Sequence, residues 1–176
     1  MSHQKEQYRI EQLDPSKHRR EEFACESAEL TEFLKRRARK EMEARASACF
    51  VIVPLEDVGR IAGYYTLSAA EVITAELPEA MTKKLPRYSS LPATLLGRLA
   101  RDSAFRGRGI GDRLMADALA RALAGSAEIG SVAMVTDPKD ERAAAFYQEF
   151  GFIRLNDKRM VLPMKEVTRM LQGRPT

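Results

Sequence analysis

The chain has 176 residues, 44% of them apolar and 31% charged, which is typical of a globular protein and excludes a disordered or fibrous one. Twenty-nine Lys and Arg against 25 Asp and Glu give a net charge of +4, which identifies no partner by itself. No segment approaches the ~18 consecutive apolar residues of a membrane span, the N-terminus lacks the apolar core of a signal peptide, and the two cysteines form neither a disulfide framework nor a metal quartet. We therefore expect one cytoplasmic domain, residues 1–176, with no membrane contact and no metal.

The first half of the chain predicts a strand, a helix and a hairpin. Residues 8–13 alternate as a strand does, and Asp14 with Pro15 ends it. Residues 48–53 and 60–67 flank a turn and predict an antiparallel hairpin. Between the first strand and this hairpin, apolar residues at helical spacing predict a helix over residues 27–44. Its apolar stripe consists of Leu30, Phe33, Leu34, Ala38 and Met42.

The second half predicts strands that alternate with helices. Three prolines interrupt residues 71–93, so we expect only a helical turn at residues 78–84 there. A strand at 94–101 precedes an amphipathic helix that starts at Ile110 and ends near Gly125. After a strand at 132–136, Asp137 is the expected N-cap and Pro138 the first residue of a helix that ends at Gly151. Strands at 153–155 and 160–162 and a C-terminal turn follow, an order typical of an α/β fold with a mixed sheet.

Basic side chains are concentrated in two windows. Residues 35–45 carry six and residues 83–108 carry seven. In the first window Arg36, Arg39 and Lys40 lie opposite the apolar stripe, together with Glu43, so we expect an exposed helix face. A solvated helix face and a charged loop would explain both windows. A site for the phosphates of a nucleic acid or of a nucleotide cofactor would also explain them, and two such windows in one small domain favour it.

A glycine-rich turn, Arg106-Gly107-Arg108-Gly109-Ile110-Gly111, lies between the strand at 94–101 and the following helix. Glycines allow backbone N–H groups to converge, and a helix N-terminus attracts anions. No Gly-Lys-Ser/Thr follows, so the turn is not a Walker loop, and the glycine spacing does not fit the Rossmann motif. Spacing alone is consistent with an ordinary turn or with a phosphate cradle.

Two motifs resemble those of the GNAT acetyltransferases. Arg106-x-x-Gly109-x-Gly111 resembles the acetyl-CoA signature of that family. Asp140-x-x-Ala143-x-x-Phe146-Tyr147-x-x-x-Gly151-Phe152 resembles the second family motif, with Asp140 where the family often has Asn. The resemblance implies an α/β fold of the GNAT (acyl-CoA N-acyltransferase) type. Its central sheet is mixed, mostly antiparallel, splayed between the fourth and fifth strands and flanked by helices.

The same resemblance implies acetyl-CoA as the acetyl donor. The pantetheine would pair with the strand around residues 99–101, and the pyrophosphate would lie on the N–H groups of residues 107–112. The cofactor-binding residues that the resemblance implies are Leu99, Ala100, Arg101, Arg106, Gly107, Arg108, Gly109, Ile110, Gly111, Asp112 and Phe146.

A narrower resemblance covers nearly the whole chain. Five segments occur in the order found in the GNAT toxins of bacterial type II toxin–antitoxin systems. That resemblance implies acetylation of the α-amino group of aminoacyl-tRNA, which blocks translation. It also implies a small ribbon-helix-helix antitoxin as partner, and dimerisation is common among such toxins. The segments are Phe23-x-Cys25-x-x-x-x-Leu30-x-x-Phe33-Leu34, Gly63-Tyr64-Tyr65-Thr66-Leu67-Ser68, Leu85-Pro86-Arg87-Tyr88, Leu95-Leu96-Gly97-Arg98-Leu99-Ala100 and Lys139-Asp140-Glu141-Arg142-Ala143.

Tyr147 matches the general acid of the GNAT family, although its helical stripe with Ala143, Ala144 and Phe150 also fits an ordinary core tyrosine. A phenol pKa of about 10 against a thiol pKa of about 8.5 makes full proton transfer uphill by ~2 kcal/mol. We therefore expect Tyr147 to donate a hydrogen bond to the developing thiolate or to have a lowered pKa.

No residue is marked by spacing as a general base, and both histidines, His3 and His18, lie near the N-terminus. An α-amino group, with a pKa of about 7.7–8, can react with water as the proton acceptor, whereas a lysine amine of pKa about 10.4 cannot do so readily.

If the chain is such a toxin, seven basic residues are candidates for holding tRNA phosphates, with a solubilising surface as the alternative. Two other functions remain open: a GNAT acetyltransferase acting on a protein or small-molecule amine, and a non-catalytic module that binds acetyl-CoA or RNA. The seven candidates are Arg36, Arg39, Lys40, Lys83, Lys84, Arg87 and Arg98.

Overall fold

The computed structural model describes residues 7–173. Within these residues the strands are β1 (Tyr8–Gln12), β2 (Ala48–Pro54), β3 (Gly63–Ile73), β4 (Ser90–Arg101), β5 (Ala133–Thr136), β6 (Ile153–Arg154) and β7 (Met160–Pro163). They form a seven-stranded sheet in the order β1-β2-β3-β4-β5-β7-β6. The described helices are α1 (Ala28–Glu32), α2 (Ala38–Glu43), α3 (Glu79–Thr82), α4 (Ile110–Ile129), α5 (Glu141–Glu149) and α6 (Met164–Gln172).

The sheet is mixed and mostly antiparallel, as expected. The pairs β1–β2, β2–β3, β5–β7 and β6–β7 are antiparallel, and β4–β5 is parallel. The β4–β5 register joins Thr94 to Met134 and Leu95 to Val135. This backbone register of the parallel pair spans two residues, whereas β4 continues to Arg101. The fourth and fifth strands are the pair at which the family resemblance implies a splay.

The chain divides into two units. The first comprises the residues up to Leu67 together with Arg98–Ala118, and the second comprises Ser68–Gly97 together with the residues from Leu119 onward. The strands β3 and β4 and the helix α4 each contribute residues to both units.

In the first unit, the predicted helix over residues 27–44 is confirmed with one irregularity. Ser27 caps it, and its Oγ accepts a hydrogen bond from the Leu30 N–H at 3.2 Å. Between α1 and α2, the segment Phe33–Arg37 forms a π-helical turn. The predicted stripe faces the core: Phe33, Leu34 and Ala38 are buried, and Leu30 and Met42 pack against them.

Aromatic packing connects this helix to the sheet of the first unit. The Tyr64 ring of β3 stacks against the Phe33 ring at 6.1 Å and meets the Phe23 ring edge-on at 5.5 Å. The Tyr64 hydroxyl donates to the Leu30 carbonyl oxygen at 2.6 Å. At the neighbouring Gly63, a Cβ would lie 2.8 Å from the Ala100 carbonyl oxygen, so only glycine allows this close approach of the backbones.

The predicted end of α4 at Gly125 is wrong. The helix continues to Ile129, because an interior glycine costs only about 1 kcal/mol relative to alanine. The terminating residue is Gly130, whose φ of 83° is left-handed and whose N–H donates to the Ser126 carbonyl oxygen at 3.0 Å.

The predicted N-cap at Asp137 is also wrong. Asp140 caps α5, since its Oδ1 accepts a hydrogen bond from the Ala143 N–H at 2.8 Å. The Asp137 carboxylate instead pairs with the Arg159 guanidinium at 2.9 and 3.1 Å. The helix end before Gly151 is confirmed, and this glycine has a φ of 93°.

Three other boundaries differ from expectation. The strand expected at 60–67 begins at Gly63 and continues to Ile73, and the strand expected at 94–101 begins at Ser90. The expected C-terminal turn is the nine-residue helix α6. Met164 and Val167 are buried and form the apolar side of this helix, at a spacing of three residues that is typical of an amphipathic helix.

Candidate active site

The glycine-rich turn of the first unit joins β4 to α4 through a 3₁₀ turn, Ser103–Phe105. Gly107 and Gly109 have φ values of 76° and 72°, and a Cβ on either would meet no atom within 4 Å. Backbone conformation, not crowding, therefore requires glycine at both positions. The first N–H groups of a helix have no intrahelical partner, so the start of α4 at Ile110 supplies N–H donors beside this turn. These features fit a phosphate cradle.

Asp102, between β4 and the 3₁₀ turn, anchors this region. It is 2% exposed, and its carboxylate accepts hydrogen bonds from the Ala104 N–H at 2.8 Å and from the Ala24 N–H at 3.0 Å. The Arg60 guanidinium lies 3.3 Å from the same carboxylate, and the Asp102 N–H donates to the Ala62 carbonyl oxygen at 2.8 Å. Asp102 thus connects the link between β4 and α4 to the segments at Ala24 and at residues 60–62 of the first unit.

The arginines around the turn have different surroundings. Arg106 is exposed and forms an ion pair with Glu26. The Arg108 guanidinium lies 5.0 Å from the centre of the Phe105 ring. The Nε atom of Arg101 is buried without a hydrogen-bond partner among the described residues.

The remaining residues of the implied cofactor site differ in their exposure to solvent. Leu99, Gly111 and Phe146 are half-buried, Ala100 and Ile110 are buried, and Asp112 is exposed in the first turn of α4. The assignment of these residues to acetyl-CoA stays a prediction.

Tyr147, in the second unit, lies on α5 and is 7% exposed. Its ring meets those of Phe146 and Phe152 edge-on at 5.5 and 5.6 Å. Its hydroxyl is hydrogen-bonded to the side chain of Thr136, the last residue of β5. Burial raises the pKa of Tyr147, and the hydrogen bond with Thr136 opposes this shift only in part. Of the two options expected from the sequence, a lowered pKa is wrong, and hydrogen-bond donation is the one that remains.

His18 has a structural environment. Its side chain is fully buried, its Nδ1 accepts a hydrogen bond from the Asp14 N–H at 2.9 Å, and its Nε2 lies 2.8 Å from a Glu11 carboxylate oxygen. Since Nδ1 accepts, the proton is on Nε2, which donates to Glu11. Both ring nitrogens are therefore occupied. His3 lies outside the described residues.

The candidate tRNA-binding residues fall into two exposed groups and one exception. On the early helix, Arg36 and Arg39 are exposed and form ion pairs with Glu32 at 2.7 Å and Glu43 at 2.8 Å, respectively. Four further candidates, Lys40 on α2 and Lys83, Lys84 and Arg87 after α3, are exposed.

The exception is Arg98. Its guanidinium lies 3.6 Å from the centre of the Phe33 ring and 3.9 Å from a Glu41 carboxylate oxygen, and its side chain is only 26% exposed. Arg98 therefore packs the early helix against β4 within the first unit. In this position its guanidinium charge interacts with the Phe33 ring and the Glu41 carboxylate.

In residues 7–173, no group of three or more His, Cys, Asp or Glu is placed to hold a metal ion. No helix in that described part of the chain has both the length and the apolar character needed to cross a membrane.

The model of the acetyltransferase (GNAT) family matches residues 8–152, a range that contains the glycine-rich turn and Tyr147. The chain belongs to the GNAT family. It is 33% identical over 174 residues to the probable toxin TacT of Sinorhizobium fredii, which covers 93% of this chain and 94% of that protein. It is also 33% identical over 130 residues to a tRNA-acetylating toxin of Mycobacterium tuberculosis, which covers 74% of this chain and 75% of that protein.

Solved structures share the fold of this GNAT chain. AtaT complexed with acetyl-methionyl-tRNAfMet has a TM-score of 0.85 at 25% identity, covering 94% of this chain and 99% of that chain. A tyrosine-to-phenylalanine mutant of AtaT, bound to the C-terminus of the antitoxin AtaR and acetyl-CoA, has a TM-score of 0.77. It covers 96% of this chain and 99% of that chain, and at 22% identity it supports the fold alone.

Two residues of this GNAT chain with prominent contacts were not predicted from the sequence. For Asp102 the sequence contained one indication of its role, which is the position of a carboxylate between a strand and a glycine-rich turn. Thr136 had none, because its contacts with Leu96 and Tyr147 join positions that are distant in the sequence.

Proposed function

We propose that the chain is an acetyl-CoA-dependent N-acetyltransferase, a toxin that acetylates the α-amino group of aminoacyl-tRNA and so blocks translation. The observation that carries the proposal is the buried, hydrogen-bonded hydroxyl of Tyr147 at the end of β5, in a chain that also has a glycine cradle at the start of α4. The tRNA-acetylating relative, at 33% identity, supports this choice of acceptor.

In this proposal the cradle binds the pyrophosphate of acetyl-CoA. The N–H groups of residues 107–112 donate to the phosphate oxygens, and Arg106 and Arg108 add positive charge. A single helix dipole contributes only about 0.3–1 kcal/mol at a surface, so several donors must act together. Arg106 would exchange its present partner, Glu26, for a phosphate. The strand segment at residues 99–101 pairs with the pantetheine.

The chemical step needs a neutral amine and an acid for the leaving thiolate. The amine nitrogen attacks the thioester carbonyl, the C–S bond breaks, and Tyr147 donates its hydrogen bond and then its proton to the thiolate sulfur. The proton lost by the amine passes to water. An α-amino group suits this arrangement, because its pKa of about 7.7–8 leaves a large neutral fraction without a dedicated base.

The remaining parts of the proposal concern partners and location. A small ribbon-helix-helix antitoxin neutralises the toxin, as the resemblance to the toxins of toxin–antitoxin systems implies. A tRNA substrate implies a cytoplasmic location, and residues 1–176 form a single acetyltransferase domain that needs no metal. Sedimentation of the purified chain tests whether it is a homodimer.

The test is incubation with radiolabelled acetyl-CoA and either charged or uncharged tRNA. Label that appears only on charged tRNA, and that remains on the amino acid after ester hydrolysis, is the expected result. Label on a protein or a small amine without RNA would assign a different acceptor. Binding of acetyl-CoA with no label in any acceptor would identify a non-catalytic binding module.

A further inference from the structure

Thr136 occupies a buried position between Tyr147 and β4. It is 2% exposed, and its Oγ1 donates to the Leu96 carbonyl oxygen at 2.9 Å. Leu96 is one residue beyond the last β4–β5 register pair, Leu95 with Val135, so this carbonyl is bonded by a side chain where the backbone pairing ends. The same hydroxyl is hydrogen-bonded to Tyr147.

The direction of these two hydrogen bonds follows from the number of protons. A threonine hydroxyl has one proton to donate and two lone pairs that accept. Since the Thr136 proton is directed to Leu96, the Tyr147 hydroxyl must be the donor in the bond between Tyr147 and Thr136. In the resting protein the chain of donors therefore runs from Tyr147 to Thr136 to the Leu96 carbonyl.

We propose that Thr136 is the positioning residue for Tyr147, an inference that rests on the proposed acetyltransferase function. In the resting state it accepts the Tyr147 O–H and holds the phenol in one orientation. When Tyr147 transfers its proton, Thr136 rotates its own O–H away from Leu96 and donates it to the phenolate oxygen.

This reversal balances the protons of the reaction. The Tyr147 O–H bond breaks and the S–H bond of free CoA forms, while the Thr136 O–H bond stays intact and changes only its acceptor. The proton released by the attacking amine returns through water to the phenolate. Thr136 then turns back to the Leu96 carbonyl, which restores the resting state.

The need for such a donor comes from burial. A phenolate with 7% exposure has little access to water, and an unpaired buried charge is costly. The rings of Phe146 and Phe152 beside it supply no donor. Thr136 is the side chain in hydrogen-bonding contact with Tyr147, so it can stabilise the phenolate as it forms.

The test compares two substitutions of the same residue. Thr136→Val keeps the shape and removes the hydroxyl, whereas Thr136→Ser keeps the hydroxyl and removes a methyl group. We expect Thr136→Val to lower kcat roughly 10- to 100-fold, the range expected for one hydrogen bond to a charged group. The KM values for acetyl-CoA and charged tRNA should change less than about twofold, and Thr136→Ser should retain most of the wild-type kcat.

The double variant Thr136→Val with Tyr147→Phe supplies the decisive comparison. If Thr136 acts through Tyr147, the double variant is no slower than Tyr147→Phe alone. Full kcat in Thr136→Val, a serine variant as slow as the valine variant, or a further loss in the double variant would each overturn the role of Thr136.

Folding and the proposed function are controlled separately. Thermal unfolding reports whether each variant is folded, and if Thr136→Val is not, Thr136→Cys replaces it as a variant with a weak donor. A cysteine variant as fast as the serine variant would then overturn the role of Thr136. Wild-type protein is assayed in parallel: no label on charged tRNA would overturn the proposed function and this inference together, whereas wild-type label with an unaffected Thr136→Val variant would overturn this inference alone.

Discussion

Tyr147 combines a buried phenol with a hydrogen-bond partner, and both determine when it can act as an acid. Burial raises its pKa above the usual value of about 10, because water has little access to the phenolate, while the bond with Thr136 lowers it by a smaller amount. The phenol is therefore protonated throughout the neutral range. Tyr147 therefore acts as a hydrogen-bond donor before the reaction, and it transfers its proton only when the thiolate of CoA has formed.

Substitution of the phenol tests this role directly. Tyr147→Phe should lower kcat by roughly 10²- to 10⁴-fold, the usual loss when a general acid is removed. The Kd for acetyl-CoA, measured by calorimetry, should stay within about twofold because the ring and its packing remain. Tyr88→Phe is the matched control, since the Tyr88 side chain is exposed, and it should leave kcat unchanged. Unchanged turnover in Tyr147→Phe would remove Tyr147 from the mechanism.

The pH dependence of kcat/KM distinguishes the ionisation of the acceptor amine from that of Tyr147. The rate should rise with the neutral fraction of an α-amino group, with a midpoint at or below about pH 8, and then level off. Because the pKa of Tyr147 is raised, the protonated phenol is present at all lower pH values, so the rate should fall only above about pH 10. A hydrolysis-resistant, amide-linked aminoacyl-tRNA allows the measurement up to pH 10. A rate that climbs steadily to pH 10 would indicate a lysine-like acceptor.

Among the elements, the link between β4 and α4 depends on Asp102. Its carboxylate holds the 3₁₀ turn through Ala104 and the preceding segment of the unit through Ala24. Asp102→Asn replaces one accepting oxygen by an NH₂ group that faces a donor. We expect a loss of about 1–3 kcal/mol in the free energy of unfolding, the usual cost of leaving a buried polar group unsatisfied.

Urea denaturation measures this loss, and acetyl-CoA affinity should fall as well because the cradle begins five residues later, at Gly107. Asp157→Asn is the control, since Asp157 is exposed in a turn, and it should stay within about 0.5 kcal/mol of wild type. Equal stability of the two variants would mean that Asp102 does not anchor the cradle.

The helices and strands also show which features sequence patterns predict and which they do not. Helical and strand periodicity placed most elements, because apolar spacing reflects which side of an element is buried. The two caps of α5 and α4 were misplaced because each offered two local candidates. Asp137 and Asp140 are both good N-caps, and the choice is made by Arg159, which lies 22 residues away and binds Asp137. Gly125 and Gly130 are both possible ends, and only the backbone conformation distinguishes them.

At the scale of the whole molecule, the number of basic residues overstates the positive charge that can bind tRNA phosphates. Arg36, Arg37 and Arg39 on the early helix each pair with a glutamate four residues away, and Arg98 is packed against Phe33. The candidate site could thus be predicted from motifs only in outline. Motifs record which residues follow each other, whereas the partner that neutralises a charge is set by tertiary contacts.

Charge reversal tests the proposed tRNA surface. Lys40→Glu, and separately the double variant Lys83→Glu with Lys84→Glu, should weaken binding of charged tRNA and leave the Kd for acetyl-CoA unchanged. The slope of log K against log[salt] should flatten by about 0.7–0.9 for each tRNA phosphate that the variant no longer neutralises. Lys165→Glu, an exposed lysine on α6, is the control for net charge. An equal effect of the control would favour non-specific attraction over a defined surface.

The π-helical turn at Phe33–Arg37 has a consequence for the geometry of the early helix. A π turn contains one residue more than an α-helical turn, and each residue advances an α-helix by about 100°. The wider turn takes up that extra residue, so Ala38 lies on nearly the same side of the helix as Phe33, as it would in a regular helix one residue shorter. Deleting the exposed Arg36 would therefore give a regular helix whose parts before and after the deletion keep their buried sides. The shortened variant should fold, with a circular dichroism spectrum and a thermal unfolding midpoint close to those of the wild type.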